Sequence, residues 1–288
     1  VRVDKHGNVH INKKNRIRRF GAADFILLFF LTLLGILILY PFYNAFLVSI
    51  VPNTVYLRYQ GLMLWPPEVT MEAYTFTFKS SLIWYGYKNS ILITFFGTIY
   101  NMILTVLCAY ALTKPIPGGK FIRFAIVFTM YFSGGLIPSY LLIKDLKLMD
   151  TIASMILPTG INIMYMLIIS NYFKSLPPAL EESAKIDGAT DLRILWSVIL
   201  PLSLPLLATF TLYYAVERWN EWYLAMLYVK SVQKWPLQNV LRTIINDVNM
   251  MATQNIPGQA KPDIQGDSIK MSSIIVAMAP IMCLYPFL

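Results

Sequence analysis

Six long runs without a single Asp, Glu, Lys or Arg constrain this 288-residue chain more than any other feature. A helix rising about 1.5 Å per residue needs ~20 residues to cross the ~30 Å hydrocarbon core of a bilayer. Five runs meet that length and the sixth is slightly shorter. The runs are 25–51, 89–113, 124–143, 151–173, 194–216 and 271–288. The pattern predicts an all-α, polytopic membrane protein with six transmembrane helices.

Composition agrees with this class, because 57% of the residues are hydrophobic and 14% are charged. An ordinary soluble domain carries about 25% charged residues. Lipid is therefore the expected surroundings of much of the surface. The net charge of +9 is a signal of topology and not of nucleic-acid binding, because no basic soluble domain is long enough to carry it.

Basic residues near the ends of the runs predict the orientation. Seven Lys or Arg residues lie in the first 20 positions, and three more lie in the turn 114–123. Both segments are expected in the cytoplasm. The sequence thus predicts a cytoplasmic basic tail at 1–22, a membrane domain of six helices at 23–288, and extracellular loops at 52–87 and 226–268.

Residue patterns for catalysis are missing from the sequence. Both histidines precede the first run, which excludes an HExxH site and a histidine cluster within the membrane; no metal ligands are expected. The triplet Gly118-Gly119-Lys120 lacks the earlier glycine and the Ser or Thr of a phosphate-binding loop. We interpret it as a basic turn between two spans. The chain is therefore predicted to be no enzyme and to bind no cofactor itself.

The segment between the fourth and fifth runs reads SLPPALEESAKIDGATDLRILWSVILPLSLP (175–205). The number of crossings places it in the cytoplasm. Its two leading prolines suit the first turn of a short helix, and Gly188 suits a left-handed residue that ends it. Leu192, Leu195, Trp196 and Ile199 then predict an amphipathic stripe along the membrane interface. Pro201 and Pro205 would bend the chain into the next span.

The order of these residues resembles the EAA loop of bacterial ABC-importer permeases, whose pattern is E-A-A, three residues, G, nine residues, I-x-L-P. Glu182, Ser183 and Ala184 occupy the first three places, Gly188 follows at the required distance, and Val198-Ile199-Leu200-Pro201 forms the end. Ser183 and Val198 depart from the pattern without changing its spacing. The stretches 132–151, 157–189 and 217–229 are also similar to carbohydrate-uptake permeases of the maltose and lipooligosaccharide type.

This resemblance implies the transmembrane domain of a type I importer and a coupling role for the loop 174–201. Glu182 would contact a separate ATPase, Ala184 would allow close approach, and Gly188 would form the turn. The residues implied in coupling are Glu181, Glu182, Ser183, Ala184, Asp187, Gly188, Leu200 and Pro201. ATP and magnesium would be bound by that ATPase.

The resemblance also implies the partners and the location. They are a second, similar permease, two ATPase subunits, an extracytoplasmic binding lipoprotein and an oligosaccharide. The chain would reside in the bacterial cytoplasmic membrane with its N-terminus inside. In this family a basic tail usually follows a YPF-type ending, so a continuation beyond Leu288 is expected.

A possible substrate path follows the fifth span. Polar and aromatic side chains recur there at helical spacing and suit sugar rings, although an ordinary interfacial belt or a structural Glu217–Arg218 pair would explain them equally well. The candidates on the fifth span and around its outer end are Thr209, Tyr213, Glu217, Arg218, Asn220 and Glu221. Further candidates on the third and fourth spans are Tyr131, Asn162 and Tyr165, whose polar atoms a neighbouring helix could bind as readily as a sugar. Two alternatives stay open from sequence: a permease for a peptide or polyamine, and a self-contained secondary transporter.

Overall fold

A computed structural model describes residues 2–3, 9–10, 22–59, 63–253 and 266–284. In those residues the secondary structure is helical apart from two antiparallel two-residue strands, β1 (Arg2–Val3) and β2 (Val9–His10). The all-α prediction is confirmed. Contacts divide the chain into two units, 1–45 and 46–288. Most of the predicted basic tail and the last four residues lie outside the described residues.

Fifteen α-helices are found in the described residues. They are α1 (Ala22–Ser49), α2 (Asn53–Tyr59), α3 (Glu72–Lys79), α4 (Ser81–Ala111), α5 (Gly119–Tyr131), α6 (Leu136–Asp145), α7 (Ala153–Ile156), α8 (Ile163–Ser175), α9 (Pro178–Ile186), α10 (Asp191–Ile194), α11 (Leu200–Leu202), α12 (Leu204–Trp219), α13 (Tyr223–Tyr228), α14 (Leu237–Thr253) and α15 (Gly266–Leu284). Leu157–Thr159 and Val232–Lys234 form 3-10 turns, and Leu195–Ile199 forms a π-helical turn.

Three helices, α1, α4 and α15, are long and apolar enough to cross a membrane unbroken. Three bent pairs supply the remaining spans, so that the described residues hold six spans when each pair counts as one. The chain bends by 108° between α5 and α6, by 51° between the α7 segment and α8, and by 88° between the α10–α11 segment and α12. Length and apolar composition predicted the spans but not the bends; the bend into α12 was predicted from Pro201 and Pro205 and is confirmed, and the other two were missed.

Two of the bends have local chemical causes. Proline lacks a backbone N–H and collides with the preceding turn, and prolines occur at Pro158, Pro201 and Pro205 beside the breaks. After the break between the α7 segment and α8, the Asn162 side chain accepts hydrogen bonds from the N–H groups of Met164 (3.1 Å) and Tyr165 (3.4 Å). It thereby caps α8, whose first N–H groups would otherwise lack acceptors.

The largest buried cluster lies where α4 meets α8, the α10–α11 segment and α12, with Val106, Ile169, Leu195 and Phe210 among its members. Polar residues of α4 face the same interior. Thr105 hydrogen bonds to the Tyr214 hydroxyl (2.7 Å), and the Asn101 amide donates to the Thr159 carbonyl (2.6 Å). Polar bonds therefore join the central helices in addition to apolar packing.

Two sequence predictions need correction. The segments predicted as extracellular loops contain helices: α2, α3 and the start of α4 in the first, α13 and α14 in the second. The uncharged run begins at position 89 because Lys88 precedes it. The helix α4 nevertheless begins at Ser81, since Lys88 lies on the exposed face of α4 and its charge is not buried. The α14 helix packs Leu237 and Val240 against Ile83 and Trp219.

The predicted amphipathic stripe of the cytoplasmic insert is also wrong as a single surface. Leu195 and Ile199 are buried in the central cluster, whereas Leu192 and Trp196 are exposed. The π-helical turn widens the helix at these residues and shifts the faces that an ideal α-helix would align. The stripe is divided between the protein core and the surface.

Candidate functional site

The short helix α9 and its glycine turn form the centre of the predicted coupling loop. Pro178 occupies the first turn of α9, as the sequence predicts. Gly188 has φ of +78°, the left-handed conformation that favours glycine. Behind it, the N–H groups of Gly188 and Ala189 donate to the carbonyls of Lys185 (3.0 Å) and Ala184 (2.9 Å). The predicted glycine stop is thus confirmed.

One face of α9 contacts the chain itself. Glu181 accepts a 2.7 Å hydrogen bond from the Lys114 ammonium, which also lies 3.4 Å from Asp191 and 4.3 Å from the Tyr110 ring centroid. Partial burial lowers the pKa of Lys114, but its contacts with Glu181 and Tyr110 outweigh this and raise that pKa above its usual value. Ala184 is partly buried against the central cluster. The close approach shown for Ala184 is therefore to its own core.

The opposite face of α9 is free of such contacts among the described residues. Glu182, Ser183 and Asp187 are exposed there, and the Ile186 side chain is 86% exposed. An isolated apolar side chain at the tip of a charged helix is a feature that the sequence prediction missed. Leu200 is partly buried against the core, and Pro201 is exposed before the bend into α12. These last two residues shape the return to the membrane.

A second site follows the exposed face of α12. Thr209, Tyr213 and Glu217 are all exposed at a spacing of four residues. The Tyr165 hydroxyl of α8 donates to Glu217 Oε1 (3.3 Å), and the ring centroids of Tyr165 and Tyr213 are 5.9 Å apart. Thr209 donates to the Pro205 carbonyl of its own helix. The structure brings these predicted residues together as an aromatic surface with one carboxylate.

Asn162 and Tyr131 have other surroundings. The Asn162 side chain is engaged in capping α8, and its N–H donates to the Tyr214 hydroxyl (3.0 Å). Tyr131 ends α5 and is 74% exposed. In the described part of the chain, no hydrogen bond or ring contact joins Tyr131 to the α12 face. Its place in a substrate path stays a prediction.

Arg218 does not share the exposed face of α12. It is buried at 4% exposure, and its guanidinium donates to the carbonyls of Met155 (3.1 Å) and Thr159 (3.1 Å) and to the Thr159 hydroxyl. Its stem passes over Gly97, where an added Cβ would lie 2.8 Å from Arg218 Cδ. Arg218 therefore occupies a structural position in which it holds the first half of the broken fourth span, directly before the break.

The remaining two candidates lie at the end of α12. Glu221 accepts from the Leu224 N–H (3.0 Å) and so caps α13, with its other oxygen 3.9 Å from Arg218. The Asn220 side chain is exposed and accepts a hydrogen bond from Gln238 of α14 (3.3 Å). Of the pair, Asn220 alone presents its side chain at the surface.

Asp150 forms a cluster that sequence analysis did not single out. Its carboxylate accepts from the N–H groups of Lys230 (3.1 Å) and Ser231 (2.9 Å), from the Ser231 hydroxyl (2.7 Å) and from the Lys234 ammonium (3.0 Å). The Asp150 backbone has φ of +58°. The bonds from Ser231 and Lys234 hold the pKa of Asp150 far below its usual range. The loops after the third and fifth spans are thereby joined.

Asp150→Asn is expected to lower thermal stability at neutral pH, because the amide cannot accept all of these bonds as a charged group does. A carboxyl with a lowered folded-state pKa stabilises the fold above its unfolded pKa and loses this effect as pH falls. The difference in Tm from the wild type should thus be constant above about pH 5 and shrink below about pH 4. Asp145→Asn is the matched control. Equal Tm values at neutral pH would contradict the prediction.

Comparison with known proteins decides the family. Residues 83–288 match the family described as the binding-protein-dependent transport system inner membrane component. The chain belongs to this family. The resemblance stated from the EAA pattern is therefore confirmed, and the chain is a permease subunit of an ABC importer whose ATPase is a separate subunit.

Two curated relatives from Bacillus subtilis (strain 168) are similar to this permease. The polygalacturonan/rhamnogalacturonan transport system permease protein YtcP is 38% identical over 277 residues, which cover 96% of this chain and 94% of YtcP. Protein LplC is 40% identical over 235 residues, which cover 81% and 79% of the two chains. The sequence similarity to permeases therefore extends over nearly the whole chain.

Solved structures of ABC transporters are also similar to this permease. A chain of a bacterial ABC transporter involved in the import of the acidic polysaccharide alginate matches with a TM-score of 0.82 and 32% identity, and covers 93% of this permease and 97% of that chain. A chain from a bacterial alginate transporter in complex with an alginate pentasaccharide-bound periplasmic protein matches with a TM-score of 0.57 and 14% identity. The second match shows the shared fold alone.

Proposed function

We propose that this permease takes up an acidic oligosaccharide that an extracytoplasmic binding protein delivers. The observation that carries the proposal is similarity along nearly the whole chain to a permease named for polygalacturonan and rhamnogalacturonan and to a transporter of alginate. Both names denote polysaccharides rich in carboxylates. Peptide and polyamine import, which stayed open from sequence, are less well supported by these relatives.

The exposed face of α9 serves as the docking surface for an ATPase. Glu182 and Asp187 supply polar contacts, and Ile186 supplies an apolar side chain that a groove could bury. The other face is tied to the permease core through Glu181, Lys114 and Ala184. A movement of the ATPase can therefore reach the central helices, because packed rigid elements transmit discrete displacements.

The polar contacts between loops support a common orientation. Lys114 joins the turn after the second span to the insert after the fourth, and Asp150 joins the segments after the third and fifth. Segments that are joined by direct hydrogen bonds lie on the same side of the membrane. With the basic residues of the first 20 positions inside, the coupling loop lies in the cytoplasm and the Asp150 cluster outside.

The remaining partners complete this proposal. A second, similar permease would share the translocation path, two ATPase subunits would bind ATP and magnesium, and a lipoprotein would carry the sugar from outside. Tyr165, Tyr213 and Glu217 are the described residues best placed to meet it, because aromatic rings pack on sugar rings and carboxylates accept from hydroxyl groups.

The assembled transporter tests the proposal. The permease, its partner permease and the ATPase are reconstituted in liposomes, and ATP hydrolysis is measured with the binding protein and a trisaccharide of galacturonic acid. Hydrolysis is expected to rise only when both are present. A neutral maltotriose, a tripeptide and spermidine serve as controls. Stimulation by maltotriose, the tripeptide or spermidine, or hydrolysis independent of the binding protein, would contradict the proposed function.

A further inference from the structure

Four side chains cluster where α12 ends and α14 begins. The Arg242 guanidinium lies 4.3 Å from the Trp222 ring centroid, and the Gln238 amide donates to Asn220 (3.3 Å). Gln238 and Arg242 are four residues apart, so they occupy one face of α14. The cluster therefore combines a cation and an amide of α14 with an amide and an aromatic ring from the short segment between α12 and α13.

Arg242 is exposed, and it makes no salt bridge with any residue in the described ranges. A guanidinium stacked on an aromatic ring is held in place while the N–H groups around its edge stay available. Those N–H groups suit a planar carboxylate, which accepts two parallel hydrogen bonds. Arg242 is thus a preorganised cation that has no carboxylate partner within the described part of the chain.

The cluster continues the surface already described on α12. Tyr213, Glu217 and Asn220 are exposed at spacings of four and three residues, which keeps them on one side of the helix. Asn220 then contacts Gln238, so the surface passes from α12 to α14. The position of Arg242 is at the predicted extracellular end of this surface. Arg218, the cation that the sequence suggested there, is buried and engaged by backbone carbonyls.

We propose that Asn220, Trp222, Gln238 and Arg242 form an entry subsite for a uronic-acid residue of the transported sugar. Arg242 binds the carboxylate, the amides bond to ring hydroxyl groups, and the partly exposed Trp222 offers apolar surface to the sugar. This subsite rests on the proposed function, because a neutral substrate would leave the guanidinium without a ligand. It adds to that function a place where the charge of the sugar is recognised.

Uptake of a radiolabelled trisaccharide of galacturonic acid by the complete transporter in liposomes tests the subsite. At subsaturating loaded binding protein, Arg242→Gln is expected to lower the uptake rate about tenfold, as for the loss of a hydrogen bond to a charged group. Arg242→Lys should retain more uptake than Arg242→Gln, and Arg242→Glu should retain less. Lys230→Gln removes another exposed cation from the same side and should leave uptake unchanged.

The outcomes separate the subsite from the proposed function. If the wild-type transporter does not take up the trisaccharide, the proposed function is wrong. If the wild type is active and Arg242→Gln matches it, or if Arg242→Glu is no worse than Arg242→Gln, only the subsite is wrong.

Two further measurements address other ligands of Arg242. If Arg242→Gln lowers the affinity of the transporter for the sugar-loaded binding protein as much as it lowers uptake, Arg242 belongs to a protein interface. A defect that vanishes in liposomes without anionic lipid would assign it to a lipid headgroup. Either result would overturn the subsite.

Discussion

Gly188→Val is expected to abolish transport while the permease still inserts in the membrane. Gly188 has φ of +78°, and apart from its chain neighbours no atom of the described residues lies within 4 Å of an added Cβ. The effect therefore arises from the backbone, because a β-branched residue is strained by about 1 to 3 kcal/mol in this conformation. Relief of that strain would break the turn that holds the end of α9 and re-aim its exposed face. The measurement is sugar uptake together with copurification of the ATPase.

Two control variants isolate this effect. Gly188→Asn should keep much of the activity, because asparagine tolerates the left-handed region. Gly118→Val introduces the same strain in the neighbouring basic turn, where φ is +72° and the space around the Cβ is also open. Substantial uptake by the Gly118 variant would show that strain alone does not stop transport. Normal uptake and copurification by Gly188→Val would contradict the coupling role.

Arg218→Gln is expected to lower the free energy of unfolding more than the other substitutions proposed for this permease. The substitution removes the donors to the carbonyls of Met155 and Thr159 and leaves open the space above Gly97. When hydrogen bonds from a charged group are lost while the acceptors stay buried, the free energy of unfolding falls by about 2 to 3 kcal/mol. The first half of the fourth span, and with it the capped start of α8, should loosen. A lower Tm of the purified permease in detergent is the expected readout.

Arg193→Gln is the matched control, because Arg193 is exposed beside the coupling helix. It should change the Tm little, as most exposed charges do. Arg218→Lys restores a cation without the planar fork and should recover part of the loss. An Arg218→Gln variant with the stability of the wild type would show that the guanidinium bonds are not needed to hold the broken span.

Much of the membrane architecture could be predicted from sequence. Uncharged runs of sufficient length identify spans because burying charge in lipid is costly, and this rule does not depend on how helices pack. The glycine turn of the coupling loop was predictable for a similar local reason, since Gly188 follows a short helix that starts at a proline. The helix α14 was missed because its charged and amide residues, including Arg242 and Asp247, interrupt any apolar run.

The sequence by itself determined that the chain crosses a membrane and that a glycine turn ends α9, because both follow from local composition and backbone preference. Only the tertiary structure decided which charges are engaged. Arg218 and Glu217 are neighbours in sequence, yet one is buried against Met155 and Thr159 while the other is exposed beside Tyr165. Likewise, Arg242 meets Trp222 across 20 residues of sequence. Contacts between distant segments depend on how the helices bend and pack, which local preference does not encode.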